Sequence, residues 1–81
     1  MTLQQLEYII AVDRFRHFGN AADYCNVTQP TLSAMIQKLE DELGIKIFDR
    51  RMHPLEPTKI GKIVLEQARK ALLSSMRIKD I

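Results

Sequence analysis

The stretch from Thr28 to Gly44, TQPTLSAMIQKLEDELG, constrains the fold more tightly than any other part of the chain. Thr28 can cap a helix with its side-chain oxygen, and Pro30 suits a first turn, where a missing N–H has no intrahelical partner. Leu32, Ile36, Leu39 and Leu43 recur at spacings of 4, 3 and 4, which places them in one stripe of a helix ended by Gly44 as a left-handed C-cap. That stripe is predicted to face the core. Projection at about 100° per residue puts Pro30, Ala34, Gln37 and Lys38 opposite it, with Gln29, Thr31 and Ser33 on the first-turn shoulders. The first turn carries no acid, although carboxylates ordinarily favour that position, and Glu40, Asp41 and Glu42 gather at the far end.

Around this helix the pattern predicts three further helices and a hairpin. Leu3, Leu6, Ile9 and Ile10, with Val12, fit an amphipathic helix over 3–15, and Arg14 to His17 interrupts it. A short helix over 19–24 carries Ala21 and Ala22, small enough for close approach of a neighbour, and Asn26 and Val27 make the turn before Thr28. After Gly44 the period becomes two: Ile45 and Ile47 alternate with Lys46, and Pro54 to Pro57 brackets a second extended segment. Residues 45–57 therefore read as a hairpin with Arg50 to His53 at its tip. Thr58 caps a last helix whose apolar set, from Ile60 to Ile78, is too wide for one stripe.

Length and composition exclude several classes. The chain has 81 residues and no apolar run of membrane-spanning length, which bounds it to one small domain. No basic region followed by an apolar stretch marks a signal peptide, so a cytoplasmic setting is expected. One cysteine, Cys25, cannot form an internal disulfide, and with His17 and His53 it supplies no zinc ligand set. The single carboxylate cluster lies on a helix surface, and neither histidine has an evident nucleophile beside it, so no enzyme, metal or cofactor is expected. Cys25 itself reads as a small buried hydrophobe rather than a redox switch.

Net charge is +2, but it divides as −1 over 1–28, −2 over 29–45 and +5 over 46–81. A basic side that begins at Lys46, Arg50 and Arg51 suits a polyanion. Two helices joined by a tight turn, followed by a hairpin, make a winged helix-turn-helix. A recognition helix that enters the DNA major groove N-terminus first passes between phosphates, which repel carboxylates and attract free N–H groups; this accounts for the acid-free first turn. Amides pair with adenine edges and Thr methyls pack on thymine methyls, so Gln29, Thr31, Ser33 and Gln37 carry base-reading chemistry. A winged helix that binds protein instead of DNA is the competing reading.

The set Leu6-Glu7-Tyr8, Phe18 with Ala21-Ala22, Val27 to Ser33, Ile36 with Lys38-Leu39-Glu40, Leu43-Gly44, Phe48 with Arg50, and Thr58-x-x-Gly61 resembles the DNA-binding region of LysR-type transcriptional regulators over the whole chain. His17-Phe18, Ala21 to Asp23, Cys25 and Lys38 to Gly44 are most similar to the peroxide-responsive OxyR branch. The resemblance implies a mainly α winged helix-turn-helix over 1–57 and a linker or dimerisation helix over 58–81, with an effector domain beyond it. It implies double-stranded DNA and a second copy of the chain as partners. Gln29, Pro30, Thr31 and Ser33 would meet bases or adjacent backbone, and Thr28, Lys38 and Arg50 would lie near phosphates. Ala34 stands where many members carry a longer polar or basic residue, so one base contact is missing there. Arg51 and His53, at the wing tip, complete the expected DNA-facing set without a fixed role in the family pattern. In the last helix, Leu65, Ala68, Leu72 and Met76 are the expected dimer contacts.

Overall fold

The computed structural model describes all residues from Met1 to Ile81. Four helices, α1 (Leu3–Phe15), α2 (Phe18–Cys25), α3 (Gln29–Leu43) and α4 (Lys59–Ile78), carry a minimal wing between α3 and α4. Its strands β1 (Phe48–Asp49) and β2 (Glu56–Pro57) pair antiparallel, Phe48 opposite Pro57 and Asp49 opposite Glu56. The regular ladder is thus confined to the base of the expected 45–57 hairpin, and Arg50 to Leu55 form the loop. Leu55 turns back into the core.

Local chemistry sets each helix boundary. Thr2 and Gln5 form a capping box on α1, which ends at Arg16 in the left-handed region at φ 53°. His17 then caps α2, its Nδ1 accepting the Asn20 N–H at 3.0 Å, and Asn26 ends α2 at φ 58°. Asn tolerates that conformation better than most residues, which is why a two-residue turn suffices before α3. Thr28 caps α3 as expected, and Gly44 closes it at φ 69°, its N–H directed at the carbonyls of Glu40 and Asp41.

The core is built on α1, α2 and α3, with α4 laid across α1. Leu6, Ile9 and Val12 of α1, Ala21 and Ala22 of α2, and Leu32, Ile36 and Leu39 of α3 are buried. Each large aliphatic side chain removed from water contributes about 1.5–3 kcal/mol, enough for these residues to fix the phase of α3. Two expected core positions differ. Leu3 and Leu43 are exposed because each lies at a helix end that runs past the packed centre, and Tyr8 is buried in α1.

The largest departures concern the last helix. Leu65 and Ala68, expected at a dimer contact, are 1% and 2% exposed inside this single chain, where they pack with the α1 face. Ile60 and Ile63, at the start of the apolar set, point outward. The physical reason is the position of Gly61: the start of α4 rests directly on the Ile47 backbone, which turns Leu65 and Ala68, one and two turns later, toward α1. Asp13 reinforces that contact by meeting Arg69 of α4 at 3.3 Å.

Candidate nucleic-acid interface

On α3 the residues with base-reading chemistry lie on one accessible face. Gln29, Pro30, Thr31, Ala34, Gln37 and Lys38 are all exposed, while Ser33 is half-buried toward the wing. Thr28 is occupied by its own helix: its Oγ1 accepts the Thr31 N–H at 3.3 Å and pairs with the Thr31 hydroxyl at 2.9 Å. Cap and hydroxyl pair hold the first turn in shape, leaving the Thr31 methyl as its free recognition group.

The wing residues do not project independently. Arg50 bends back onto the core side of the groove, its Nη1 donating to Ser33 Oγ at 2.9 Å and its guanidinium carbon stacked 4.8 Å from the centre of the Phe18 ring. Its Nη2 also faces Glu40 Oε1 at 3.5 Å. Arg51 makes a bidentate pair with Asp49, both N···O distances being 2.9 Å. This hydrogen bonding holds the Asp49 carboxyl down at about 2 and pushes the Arg51 guanidinium up. The charge of Arg51 is therefore largely matched within the wing, and Lys46 remains beside it without an ion-pair partner. His53 stays exposed at the loop end and lines an open groove with His17, Phe18, Gln29, Ser33 and Arg50.

Glu40 is the residue the periodicity missed. It was expected on the surface with Asp41 and Glu42, yet its side chain is 1% exposed. Its Oε2 accepts the Ile47 N–H at 2.7 Å and the Phe48 N–H at 3.4 Å, the donors that open the wing, while Oε1 has no hydrogen bond of its own. A buried carboxylate is costly unless it is paired or hydrogen-bonded, and here backbone donors and Arg50 share that task. A sequence signal existed: Glu40 follows Ile36 by one turn, on the same side of α3. Gln5 was missed for the same reason; it is buried and reaches the Met35 carbonyl of α3 at 3.3 Å.

Thr58 joins the other end of the wing. Its N–H donates to the Ile47 carbonyl at 2.8 Å, its hydroxyl donates to the Lys46 carbonyl, and its Oγ1 accepts the Gly61 N–H at 3.0 Å. Glu40 and Thr58 thus grip consecutive peptide groups of one short segment, and the wing is fixed between α3 and α4. No cluster of His, Cys, Asp and Glu could hold a metal ion, and no helix is long and apolar enough to cross a membrane. Cys25 is half-buried, and burial, then the charge of Glu7, pushes its thiol up from 9.0, a setting for an unreactive thiol.

Comparison with known proteins agrees with this geometry. Residues 3–62 match the family of bacterial regulatory helix-turn-helix proteins, lysR family. Over all 81 residues the chain is 43% identical to a hydrogen peroxide-inducible genes activator of Haemophilus influenzae and 42% identical to the DNA-binding transcriptional dual regulator OxyR of Escherichia coli. It spans 27% of the length of each. Among solved structures, the BenM_DBD/benA site 1 DNA complex superposes with a TM-score of 0.96 at 36% identity, covering 99% of this chain and 90% of that one. A full-length OxyR from Pseudomonas aeruginosa superposes at 0.94 with 44% identity, covering 99% of this chain and 27% of that one. A winged fold, an acid-free α3 face and a family match over residues 3–62 converge: the chain belongs to the lysR family of bacterial regulatory helix-turn-helix proteins.

Proposed function

We propose that this chain is the DNA-reading part of a cytoplasmic bacterial transcriptional regulator, not an enzyme, and that it binds an inverted-repeat site as a dimer. The observation that carries this reading is the exposed, acid-free face from Gln29 to Lys38 beside the Arg50 and Arg51 wing. In this reading α3 enters the major groove and the wing approaches the minor groove. Gln29, Thr31, Ser33 and Gln37 read base edges, Pro30 and Ala34 pack beside them, and Thr28, Lys38, Arg50, Arg51 and His53 lie along phosphates. Family membership, with the BenM relative solved on DNA, favours this over a protein-binding winged helix.

Residues 1–57 act as the winged reading unit and 58–81 as the linker and dimerisation helix. Leu65 and Ala68 belong to the core, so the dimer contact falls on apolar side chains outside it: Met76 and the half-buried Leu72, which continue the Leu65 side toward the end of α4, and Ile60, Ile63 and Ile78, exposed on another face. A two-fold pair fixes the separation of two α3 helices and hence the half-site spacing. Likeness to OxyR supports a peroxide-responsive regulator as the whole protein. Its chemistry would not involve Cys25, whose raised pKa leaves little thiolate at neutral pH.

Retention on heparin and a salt-dependent mobility shift of duplex DNA test the reading. Affinity should fall linearly on a log–log plot against salt, as expected when phosphates are neutralised. Absence of retention, and of any shift at low salt, would return the protein-binding alternative.

A further inference from the structure

Arg50 is not a free wing cation. It reaches across the groove to Ser33, stacks on Phe18 and meets the buried Glu40, whose other oxygen holds the wing's first two N–H groups. We propose that Glu40 is a positioning residue for DNA reading: its buried carboxylate sets Arg50, and through Arg50 the hydroxyl of Ser33, before DNA arrives. The inference rests on the DNA-reading function proposed above and concerns what gives that face its selectivity.

The chemistry of the triad supports the assignment. A serine hydroxyl has one proton and two lone pairs, and Arg50 Nη1 takes one lone pair at 2.9 Å. The Ser33 O–H is thereby directed away from the guanidinium and left free to donate. A base acceptor in the major groove, such as a purine N7, guanine O6 or thymine O4, suits it better than a donor such as cytosine N4 or adenine N6. Glu40 makes this arrangement rigid, because Arg50 is held from two sides with its side chain only 38% exposed. The same contact withholds part of Arg50 from phosphate, exchanging sequence-independent attraction for selectivity.

Glu40→Gln separates the two tasks of this carboxylate. Its amide oxygen can still accept from Ile47 and Phe48, while its NH2 group, turned to Arg50, no longer attracts it. The probes are a duplex enriched from a random-sequence pool on the wild-type chain and a scrambled duplex of equal composition. For Glu40→Gln we expect about tenfold weaker binding to the enriched duplex, within the range of one lost base contact. Binding to the scrambled duplex should be unchanged or tighter, with a salt slope steeper by up to about 0.9 as the part of Arg50 that Glu40 withholds is released to phosphate. Equal losses on both duplexes, or an unchanged ratio and slope, would show a merely structural role and overturn the proposal.

If Glu40→Gln does not fold, the surface pair decides. Ser33→Ala and Arg50→Ala should each lower the enriched-to-scrambled ratio, and the double variant should lower it no further than the worse single change; additive losses would overturn the coupling. Wild-type chain that shifts neither duplex would overturn the DNA-reading function itself, and is distinguishable because the failure then precedes any substitution.

Discussion

Gly61→Ala tests the packing that aims α4 and anchors the wing. A Cβ at Gly61 would lie 2.0 Å from the Ile47 carbonyl oxygen and 2.8 Å from its carbon, against 3.4 Å or more for an ordinary contact. Both partners are backbone, so no rotamer change relieves the clash; α4 and β1 must separate by roughly 1.4 Å. Overpacking of this kind costs about 1–3 kcal/mol. The separation also stretches the Thr58 bonds to Lys46 and Ile47, each worth about 1 kcal/mol. Alanine's better helix propensity returns about 1 kcal/mol. The net loss is about 2–5 kcal/mol, which lowers Tm by at least about 8 °C in a domain of this size. Gly44→Ala is the control: its Cβ meets nothing within 4 Å, so only the left-handed backbone at φ 69° resists it, at about 1–2 kcal/mol. Paired thermal melts by circular dichroism measure both. A Gly61→Ala chain as stable as wild type, or more stable than Gly44→Ala, would refute the close contact between α4 and the wing.

Three further outcomes follow from particular contacts. Leu65→Ala should destabilise the chain by about 2–5 kcal/mol in urea titrations, as a core truncation does, while Met76→Ala should leave monomer stability within about 0.5 kcal/mol and weaken self-association in sedimentation. Cys25, its thiol pushed above 9.0 by burial and by Glu7, should alkylate slowly with iodoacetamide at pH 7, faster only as pH rises past 9.0, and faster at neutral pH after unfolding. Asp49, held at about 2 by Arg51, should titrate near 2 by carboxyl NMR and move up toward 3.8 in Arg51→Ala. Because the folded value is depressed, any stability from this pair is present above the ordinary carboxylate range and disappears as pH falls through about 2.

Much of the helical framework was legible because helix ends are written in local chemistry. Thr28, Pro30 and Gly44 marked α3, and the acid-free turn marked its exposed end. Faces proved harder where a helix serves two neighbours. The stripe ending in Leu43 projected inward with Leu32, Ile36 and Leu39, yet α3 outruns the core there, so Leu43 emerges and Glu40, one turn earlier, meets the wing instead. In α4 two apolar faces compete, and periodicity gives their relative phase without saying which lies on α1. The contact between Gly61 and Ile47 decides it, and that contact exists only after folding. The DNA-facing residues were legible as chemistry, since α3 presents Gln29, Thr31, Gln37 and Lys38 on one face. Their tethering was not, because the links from Ser33 to Arg50 and from Arg50 to Glu40 span 17 and 10 positions of chain.

Base reading by the exposed N-terminal face of α3 stands or falls with Gln29→Ala on the enriched and scrambled duplexes at one salt concentration. Gln29 is exposed and has no side-chain hydrogen bond within the chain, so its loss should leave Tm unchanged. A base-reading Gln29 gives about 1–3 kcal/mol weaker binding of the variant to the enriched duplex, with scrambled-duplex affinity unaltered. Equal weakening on both duplexes, or no weakening on either, would contradict it.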